Sequence, residues 1–270
     1  MKRIIIILLC LLFCLSCTSV SNNPLPPLSL YAFSIGQADC LLLQFGRSAI
    51  LIDTGERNDG DKIVKKLEEC GVERLDILIL THFDKDHIGG AEAVISSIPI
   101  DAIIMPYYES SSKHYKRMMS SIDSKGVTVS RPASDISLSV GGANIDIFVS
   151  PVPYDGHNDN EQSLVTRLVY NGKTYLFTGD AEKAWLSELV SGRYALGCDM
   201  LKLPHHGSYD ANLDALLCAA APEYVIICDS EKHPTPPETL DAIVTFGATV
   251  LQTQFGAIHL VETDGVLTNK

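Results

Sequence analysis

A cluster of metal-capable side chains follows directly on an apolar run of strand length. The run covers residues 75–80, and Gly89 and Gly90 separate the cluster from a helix pattern over residues 91–98. The four side chains are His82, Asp84, Asp86 and His87. A buried strand followed by a loop and a helix is typical of an α/β fold, which places ligand sites at the carboxyl ends of its strands. We therefore predict an α/β fold with a site on this loop.

The residue types in the cluster indicate a bound cation. Two histidines and two carboxylates lie within six residues, and together they suit a divalent ion of borderline to hard character. A loop can turn all four side chains toward one point. The alternative is an exposed polar loop with two unrelated histidines, but the strand before it and the glycines after it favour the metal site.

Two later strand ends carry side chains of the same kind. A predicted hairpin over residues 163–177 ends just before Asp180, and a predicted strand over residues 200–203 runs into His205 and His206. A carboxylate in such a place can bridge two ions about 3.5–4 Å apart. Adjacent histidines also occur on exposed turns, so their position after a strand is what makes them candidate ligands.

Length and charge narrow the possibilities. The chain has 270 residues, enough for one large domain or two small ones with a substantial core. A net charge of −12 argues against broad electrostatic affinity for nucleic acid, because phosphate binding usually needs a clustered basic face. The charge does not exclude a nuclease whose metal ions attract the phosphate.

The N-terminus has the pattern of a bacterial export signal. A basic start is followed by a short apolar run, and small residues surround Cys17. We predict a signal peptide with a lipobox-like end over residues 1–17, a tether over residues 18–29 and one domain over residues 30–270. A lipid on Cys17 would hold the exported protein to a membrane, in the periplasm or at the cell surface. A simple secretory peptide and an uncleaved anchor are the alternatives.

Several short motifs occur in a fixed order along the chain. They are Gly36-Gln37-Ala38-Asp39, residues 50–55 (ILIDTG), residues 81–90 (THFDKDHIGG), residues 160–165 (NEQSLV), Phe177-Thr178-Gly179-Asp180, residues 203–208 (LPHHGS) and His233-Pro234. Together they resemble the metallo-β-lactamase superfamily, and within it the C-terminal hydrolase domain of the competence protein ComEC. The resemblance covers about residues 30–265 and implies a four-layer αββα sandwich, with two mixed sheets face to face and helices outside.

The resemblance also implies a set of site residues. The implied metal ligands are His82, Asp84, Asp86, His87, Asp180 and His206, and the implied catalytic residues are Asp86 and His205. Asp180 would be shared by two metal pockets. Whether His205 or His206 is the ligand stays open at this point.

The sequence departs from the family pattern at two places. Asp84 stands where most members have the second histidine of HxHxDH, although ComEC-like members share the aspartate. The middle histidine has no evident equivalent, since an asparagine motif occupies its place and His157 lies nearby without aligning. Asp53 either orients a metal ligand from behind or forms a turn before Gly55.

These patterns predict a metal-dependent hydrolase that uses two divalent ions, zinc or manganese, to activate water. The expected substrate is a phosphodiester, with DNA among the candidates. The expected partners are that substrate and a membrane reached through the lipid anchor, and the sequence indicates no protein partner. An envelope phosphoesterase of the phosphorylcholine-esterase kind and a non-catalytic metal-binding lipoprotein are the alternatives.

Overall fold

The computed structural model describes residues 25–270, so the predicted signal peptide, Cys17 and the first part of the tether lie outside the described residues. The strands are β1 (Leu28–Ala32), β2 (Leu41–Phe45), β3 (Ser48–Ile52), β4 (Leu75–Ile79), β5 (Ile100–Ile104), β6 (Thr128–Ser130), β7 (Ile136–Val140), β8 (Ala143–Phe148), β9 (Val165–Tyr170), β10 (Lys173–Phe177), β11 (Met200–Lys202), β12 (Tyr224–Ile227), β13 (Thr249–Gln252), β14 (Ile258–Thr263) and β15 (Val266–Asn269). The helices are α1 (Gly60–Glu69), α2 (Lys85–Ile88), α3 (Ala91–Ser97), α4 (Lys113–Lys125), α5 (Lys183–Glu188), α6 (Leu213–Ala220) and α7 (Pro237–Thr245). Within residues 25–270, no helix has the length and apolar character needed to cross a bilayer.

The strands form two mixed sheets. The order in the first sheet is β15-β14-β1-β2-β3-β4-β5-β6, and the order in the second is β13-β12-β11-β10-β9-β8-β7. In each sheet one end is antiparallel and the other is parallel: β3 to β6 run parallel in the first, and β10 to β13 run parallel in the second. The predicted hairpin between β9 and β10 is present, and Asn171 and Gly172 both take the positive φ of its tight turn.

Alternation along the strands builds the layers. One face of each sheet packs against the other sheet, with buried side chains such as Leu30, Ile52, Phe177 and Met200. The opposite face of the first sheet packs against α1, α3 and α4, and that of the second packs against α5, α6 and α7. The predicted four-layer αββα sandwich is therefore confirmed.

Two predicted boundaries are wrong. The first strand begins at Leu28, so Leu28 and Ser29 belong to the sheet and not to the tether; Leu28 is fully buried between Phe45 and Glu262. The predicted loop that holds the metal-capable cluster contains α2, since the amide of Ile88 donates to the carbonyl oxygen of Asp84 at 3.0 Å.

The sheet topology explains where the cluster lies. Four central strands, β3, β4, β10 and β11, end at the same edge of the sandwich, and each is followed within a few residues by a polar side chain. Those side chains are Asp53, His82, Asp180 and His206. The carboxyl ends of parallel strands thus bring together residues that are far apart in the sequence.

Candidate metal centre

His87 is held in a single orientation by Asp53. Nδ1 of His87 donates to Oδ2 of Asp53 at 2.8 Å, and the same carboxylate accepts from the amide (2.8 Å) and hydroxyl (2.7 Å) of Thr81. Asp53 has a positive φ of 58° and no exposed surface. Nε2 of His87 is left pointing at Oδ2 of Asp180, 3.2 Å away. Of the two roles the sequence left open for Asp53, the contacts favour the orientation of His87.

His206 faces the same carboxylate from the second sheet. Its backbone has a positive φ of 51°, and its Nδ1 donates to the carbonyl oxygen of Cys228 at 2.9 Å. Nε2 lies 3.3 Å from Oδ2 of Asp180 and 3.5 Å from Oδ2 of Asp86. His206 therefore lies among the carboxylates of the cluster.

His205 points to the rim. Its side chain is 37% exposed, and its Nδ1 lies 2.7 Å from Oε1 of Glu182. Glu182 is itself held by the side-chain amides of Asn158 (3.3 Å) and Asn160 (3.1 Å). The two adjacent histidines thus face different groups, and of the two it is His206 that has the position of a ligand.

His82 and Asp84 form the other side of the cluster. His82 is fully buried, and its Nδ1 lies 3.1 Å from Oγ1 of Thr81 and 3.4 Å from Oγ of Ser163. Its Nε2 lies 3.6 Å from Oδ2 of Asp84, whose side chain is half-exposed. The imidazole rings of His82 and His87 are 4.0 Å apart between centroids.

Asp180 is the carboxylate on which the cluster converges, and it has a cationic neighbour. Its amide donates to Oγ of Ser163 at 3.1 Å, and its Oδ1 lies 3.4 Å from Nζ of Lys202. Lys202 also donates to the carbonyl oxygen of Gly179 at 2.9 Å and forms an ion pair with Asp39. The sequence did not single out Lys202, and Asp39 was noted only as the last residue of the first motif. The available signal for Lys202 was a lysine in an otherwise apolar strand.

The cluster fits a divalent metal ion. The Nε2 atoms of His82, His87 and His206 are buried and have no hydrogen-bond partner among residues 25–270. They lie 3.2–3.6 Å from the facing carboxylate oxygens. Ligand atoms bound about 2.1 Å from one ion are separated by roughly 3.0–3.4 Å, so these atoms need only small movements to share an ion.

Two groups of three side chains have the spacing of ligand sets. His82, His87 and Asp180 offer atoms that lie within 4.8 Å of one another, and so do Asp39, His87 and His206. In the second group, Asp39 contacts the Nδ1 atoms of the two histidines, which already donate to other acceptors. The first group is therefore the one whose nitrogen atoms are free to bind metal, and Asp39 lies behind the histidines.

Opposite charges hold the cluster together when no metal is present. Burial by itself would lower the pKa of His206, but the carboxylates of Asp180 and Asp86 raise it to about 9. Burial also disfavours charged His87, yet Asp180 and Asp53 raise its pKa well above the usual value. Burial would raise the pKa of Asp86, but His206 and His87 lower it to about 2. Protons on the histidines thus occupy the electrostatic role that a cation would take.

A groove of about 750 Å³ opens beside the cluster. Residues 34–37 and 229–233 line it, together with Asp86. The side chains of Lys85, Lys232 and His233 border it, and Lys85 pairs with Glu56 at 3.1 Å. The groove gives a solvent path to one edge of the metal-capable cluster.

The family model of the metallo-β-lactamase superfamily matches residues 34–228. This chain belongs to the metallo-β-lactamase superfamily. The superfamily is one of metal-binding hydrolases, which agrees with the three unpartnered imidazole nitrogens. The resemblance identified in the sequence is thereby confirmed.

Curated relatives are competence and recombination proteins. The chain is 32% identical over 209 residues to the competence protein ComA of Neisseria gonorrhoeae, and 28% identical over 211 residues to the ComE operon protein 3 of Bacillus subtilis. These matches span 74% and 72% of this chain but only 27% of either relative. The superfamily domain described here thus corresponds to about a quarter of each relative's length.

Solved structures of the superfamily share the fold at low sequence identity. The metallo-β-lactamase fold protein YhfI from Bacillus subtilis superimposes with a TM-score of 0.56 at 14% identity, over 91% of this chain and 100% of that one. Igni18, a metallo hydrolase from Ignicoccus hospitalis, gives a TM-score of 0.53 at 17% identity, over 86% and 98%. Both agree with the αββα sandwich.

Proposed function

We propose that this metallo-β-lactamase superfamily member is a two-metal hydrolase of phosphodiesters. The observation that carries the proposal is the convergence of three buried, unpartnered imidazole Nε2 atoms on carboxylates, two of them on one oxygen of Asp180. Buried polar atoms without partners are costly in a folded protein, and a bound cation would satisfy all of them.

The proposed ligands fall into two pockets. His82 and Asp84 would hold one ion, and Asp86, His87 and His206 would hold the other, with Asp180 shared between them. When bound, two divalent ions would activate a water molecule at neutral pH and stabilise both the entering and the leaving oxygen of a displacement at phosphorus. Zinc and manganese are the expected metals, because the set mixes imidazoles with several carboxylates.

Two side chains at the edge of the cluster would act on protons. Asp86 borders the groove, and one of its oxygens is free of His206 to orient an incoming water. Nδ1 of His205 is engaged by Glu182, which leaves Nε2 as the atom that would give a proton to the leaving oxygen. Glu182 and its two asparagine partners would keep that ring in place.

The choice of a phosphodiester rests on the relatives and on the groove. Two relatives are named for competence and for recombination, processes that handle DNA, and DNA is a phosphodiester polymer. The groove beside Asp86 is open at the surface, so an extended substrate could approach from this side; its lining combines Lys85, Lys232 and His233 with the carboxylates of Glu56, Asp86, Asp229 and Glu231. Because the chain has a net charge of −12 and the groove lining is rich in carboxylates, bound metal ions would be the main attraction for phosphate.

A second candidate is an esterase of phosphate groups in the cell envelope. The observation in its favour is the lipobox-like end of the predicted signal peptide at Cys17, which would place the domain beside envelope lipids and wall polymers. The catalytic groups would be the same, and only the substrate in the groove would differ. A non-catalytic metal-binding lipoprotein is the third possibility.

The test is a substrate panel on the purified chain loaded with Mn²⁺ or Zn²⁺. The panel contains single- and double-stranded oligonucleotides, bis-p-nitrophenyl phosphate, p-nitrophenyl phosphorylcholine and p-nitrophenyl phosphate, with bound metal quantified in parallel. We expect two ions per chain and cleavage of diesters over the monoester. Asp180→Asn and Asp86→Asn should remain folded and lose activity, whereas Asp214→Asn, on the exposed side of α6, should behave as wild type.

The outcomes separate the alternatives. Cleavage of phosphorylcholine esters without cleavage of oligonucleotides would favour the envelope esterase. Two bound ions without activity on any substrate would favour the binding lipoprotein. A chain that binds no divalent metal would contradict the proposal as a whole.

A further inference from the structure

Lys202 lies at a position in β11 where the strand pattern predicts an apolar side chain. Along β11, Met200 faces the other sheet, Leu201 faces the outer helices, and Lys202 again faces inward between the sheets. Its side chain has no exposed surface, and it is the one lysine or arginine in the described part of the chain that is fully buried. Burying an ammonium group is unfavourable unless carboxylates surround it, so packing alone does not explain a lysine at this position.

The two carboxylate oxygens of Asp180 contact different groups, and Lys202 contacts only one of them. Oδ2 of Asp180 faces Nε2 of His87 at 3.2 Å and Nε2 of His206 at 3.3 Å. Oδ1 faces the ammonium of Lys202 at 3.4 Å, and the same ammonium is anchored by the carbonyl oxygen of Gly179 at 2.9 Å. Because Lys202 contacts Oδ1, only Oδ2 faces the Nε2 atoms of the two histidines.

The same lysine ties Asp180 to the first half of the chain. Lys202 forms an ion pair with Asp39, which lies behind the histidines, 3.4 Å from Nδ1 of His206 and 4.0 Å from Nδ1 of His87. Asp39 is itself fixed, because its amide donates to the carbonyl oxygen of Asp86 at 3.1 Å. The ion-pair network Asp39–Lys202–Asp180 therefore connects the Nδ1 side of the two histidines, near Asp39, with the Nε2 side, which faces Asp180.

We propose that Lys202 is a positioning residue of the metal centre: it holds Oδ1 of Asp180, which leaves Oδ2, facing the imidazoles, as the oxygen that Asp180 would offer to bound metal. The lysine also offsets one negative charge in a pocket that contains several carboxylates. This inference rests on the two-metal centre proposed above and is independent of the phosphodiester substrate.

The test removes the positive charge of Lys202 with a side chain of similar length. Lys202→Met removes the charge and Lys202→Arg keeps it. Lys173→Met is the matched control, because Lys173 forms a 2.7 Å pair with Asp199 at the start of β10, whereas the cluster follows the other end of that strand. The readouts are the two Mn²⁺ dissociation constants, the metal content and the electron paramagnetic resonance spectrum, which reports the magnetic coupling of two manganese ions through a bridging ligand. Circular dichroism checks folding.

We expect Lys202→Met to raise the dissociation constant of at least one ion by about 10–100-fold, the range found when groups that orient metal ligands are removed. It should also change the coupled manganese spectrum, while Lys202→Arg restores most of the affinity and Lys173→Met changes neither readout. If Lys202→Met does not fold, the double variant Asp39→Asn with Lys202→Met removes both buried charges and is measured in the same way.

The results discriminate between the two proposals. Wild-type affinities and an unchanged coupled spectrum in a folded variant without the lysine would overturn the role of Lys202 and leave the two-metal centre standing. A wild-type chain without two bound ions would instead remove the metal centre on which the inference rests. If Lys202→Met and Lys202→Arg lost metal affinity to the same extent, that result would also contradict a role for the positive charge.

Discussion

Oδ2 of Asp53 lies 2.8 Å from Nδ1 of His87, and both side chains are fully buried. Because a carboxylate can only accept, Nδ1 of His87 carries a proton. Nε2, which faces Asp180, is therefore the nitrogen that can give up its proton and bind a metal ion. Two further hydrogen bonds from Thr81 fix the carboxylate in place. Asp53 thus holds His87 in the tautomer that a metal ligand needs.

The first prediction concerns this pair. Asp53→Asn keeps the size of the side chain but removes the charge and offers an amide in place of one acceptor, so we expect metal affinity to fall about 10–100-fold. Titration with Zn²⁺ would measure the change. Asp76→Asn is the control, because Oδ2 of Asp76 accepts from the amide of Ala49 in the same sheet, away from the cluster. Equal metal affinities for Asp53→Asn and wild type would contradict the role of Asp53.

The second prediction is that the metal-free protein loses stability as the pH rises from 6.5 to 9. The pKa of His206 is raised from about 6.5 when unfolded to about 9 when folded, so its contribution is complete below 6.5 and is lost as the pH passes through 9. The loss from this group alone is about 3 kcal/mol, and His87 acts in the same direction. The pKa of Asp86 is lowered to about 2, so its contribution is present above pH 4 and lost only as the pH falls toward 2.

Urea unfolding of chelator-treated protein at pH 6 and pH 9 measures this effect. With Zn²⁺ bound, both histidines are unprotonated ligands at either pH, so the decline should be absent. Apparent metal affinity should instead rise over the same interval, because metal and protons compete for the imidazole nitrogens. Metal-free protein that is as stable at pH 9 as at pH 6 would show that the two histidines are neutral in the absence of metal.

The third prediction assigns the leaving-group proton to His205. His205→Ala should lower kcat by about 10²–10⁴ on diesters with a poor leaving group, such as oligonucleotides, because general acid catalysis contributes about that much. The loss on bis-p-nitrophenyl phosphate should be much smaller, since p-nitrophenolate leaves without a proton. Glu182→Gln should show the same leaving-group dependence in weaker form, because Glu182 holds Nδ1 of His205.

Glu188→Gln is the matched control for Glu182→Gln. Glu188 is the last residue of α5, the helix that Glu182 directly precedes. It pairs with Arg193 at the surface, away from His205. Its substitution should leave kcat unchanged for both substrate classes. An equal loss on good and poor leaving groups in His205→Ala would assign this histidine to substrate binding instead.

The fourth prediction concerns the lipid anchor proposed at Cys17. In cells that make the full chain, Cys17→Ser should move the protein from the membrane fraction to the soluble exported fraction and abolish labelling by a fatty-acid analogue. Cys14→Ser is the control within the same segment. Membrane retention of Cys17→Ser without labelling would favour the alternative of an uncleaved N-terminal segment.

The fold followed from patterns that are local in the sequence. The apolar runs, the Asn171-Gly172 turn and the order of the motifs were enough to predict both sheets and the sandwich. No strand was predicted at β15, although Asp264 and Gly265, both with positive φ, form a tight turn before it. An Asp-Gly pair is a hairpin signal, so the sequence does contain the information that predicts this strand.

Site residues could be predicted from the sequence only where the residue type itself indicates metal binding. His82, His87 and Asp180 could be found because histidines and an aspartate after strands are unusual in an apolar context. Lys202 could not, because its meaning depends on Asp39, which reaches it across the space between the two sheets. The one-turn helix α2 was also missed, since four residues are too short to show a helical period.

The last prediction tests why two glycines follow the metal-capable cluster. A Cβ on Gly90 would lie 2.2 Å from the carbonyl oxygen of Thr54, and one on Gly89 would lie 2.4 Å from the amide nitrogen of Arg57. The segment after the cluster therefore passes directly against the backbone that follows Asp53. Only glycine permits this approach, and the hydrogen bond from the amide of Gly90 to the carbonyl oxygen of Gly55 (3.2 Å) depends on it.

Gly90→Ala should lower the free energy of unfolding by roughly 1–3 kcal/mol, the usual range for overpacking against an atom that cannot move aside. Because the displaced backbone carries Asp53, the variant should also bind metal more weakly. Gly197→Ala is the control, since a Cβ there meets nothing within 4 Å and the residue has no positive φ. Urea unfolding and Zn²⁺ titration of both variants make the comparison. If Gly90→Ala were as stable as Gly197→Ala, the backbone contact would not be what requires glycine here.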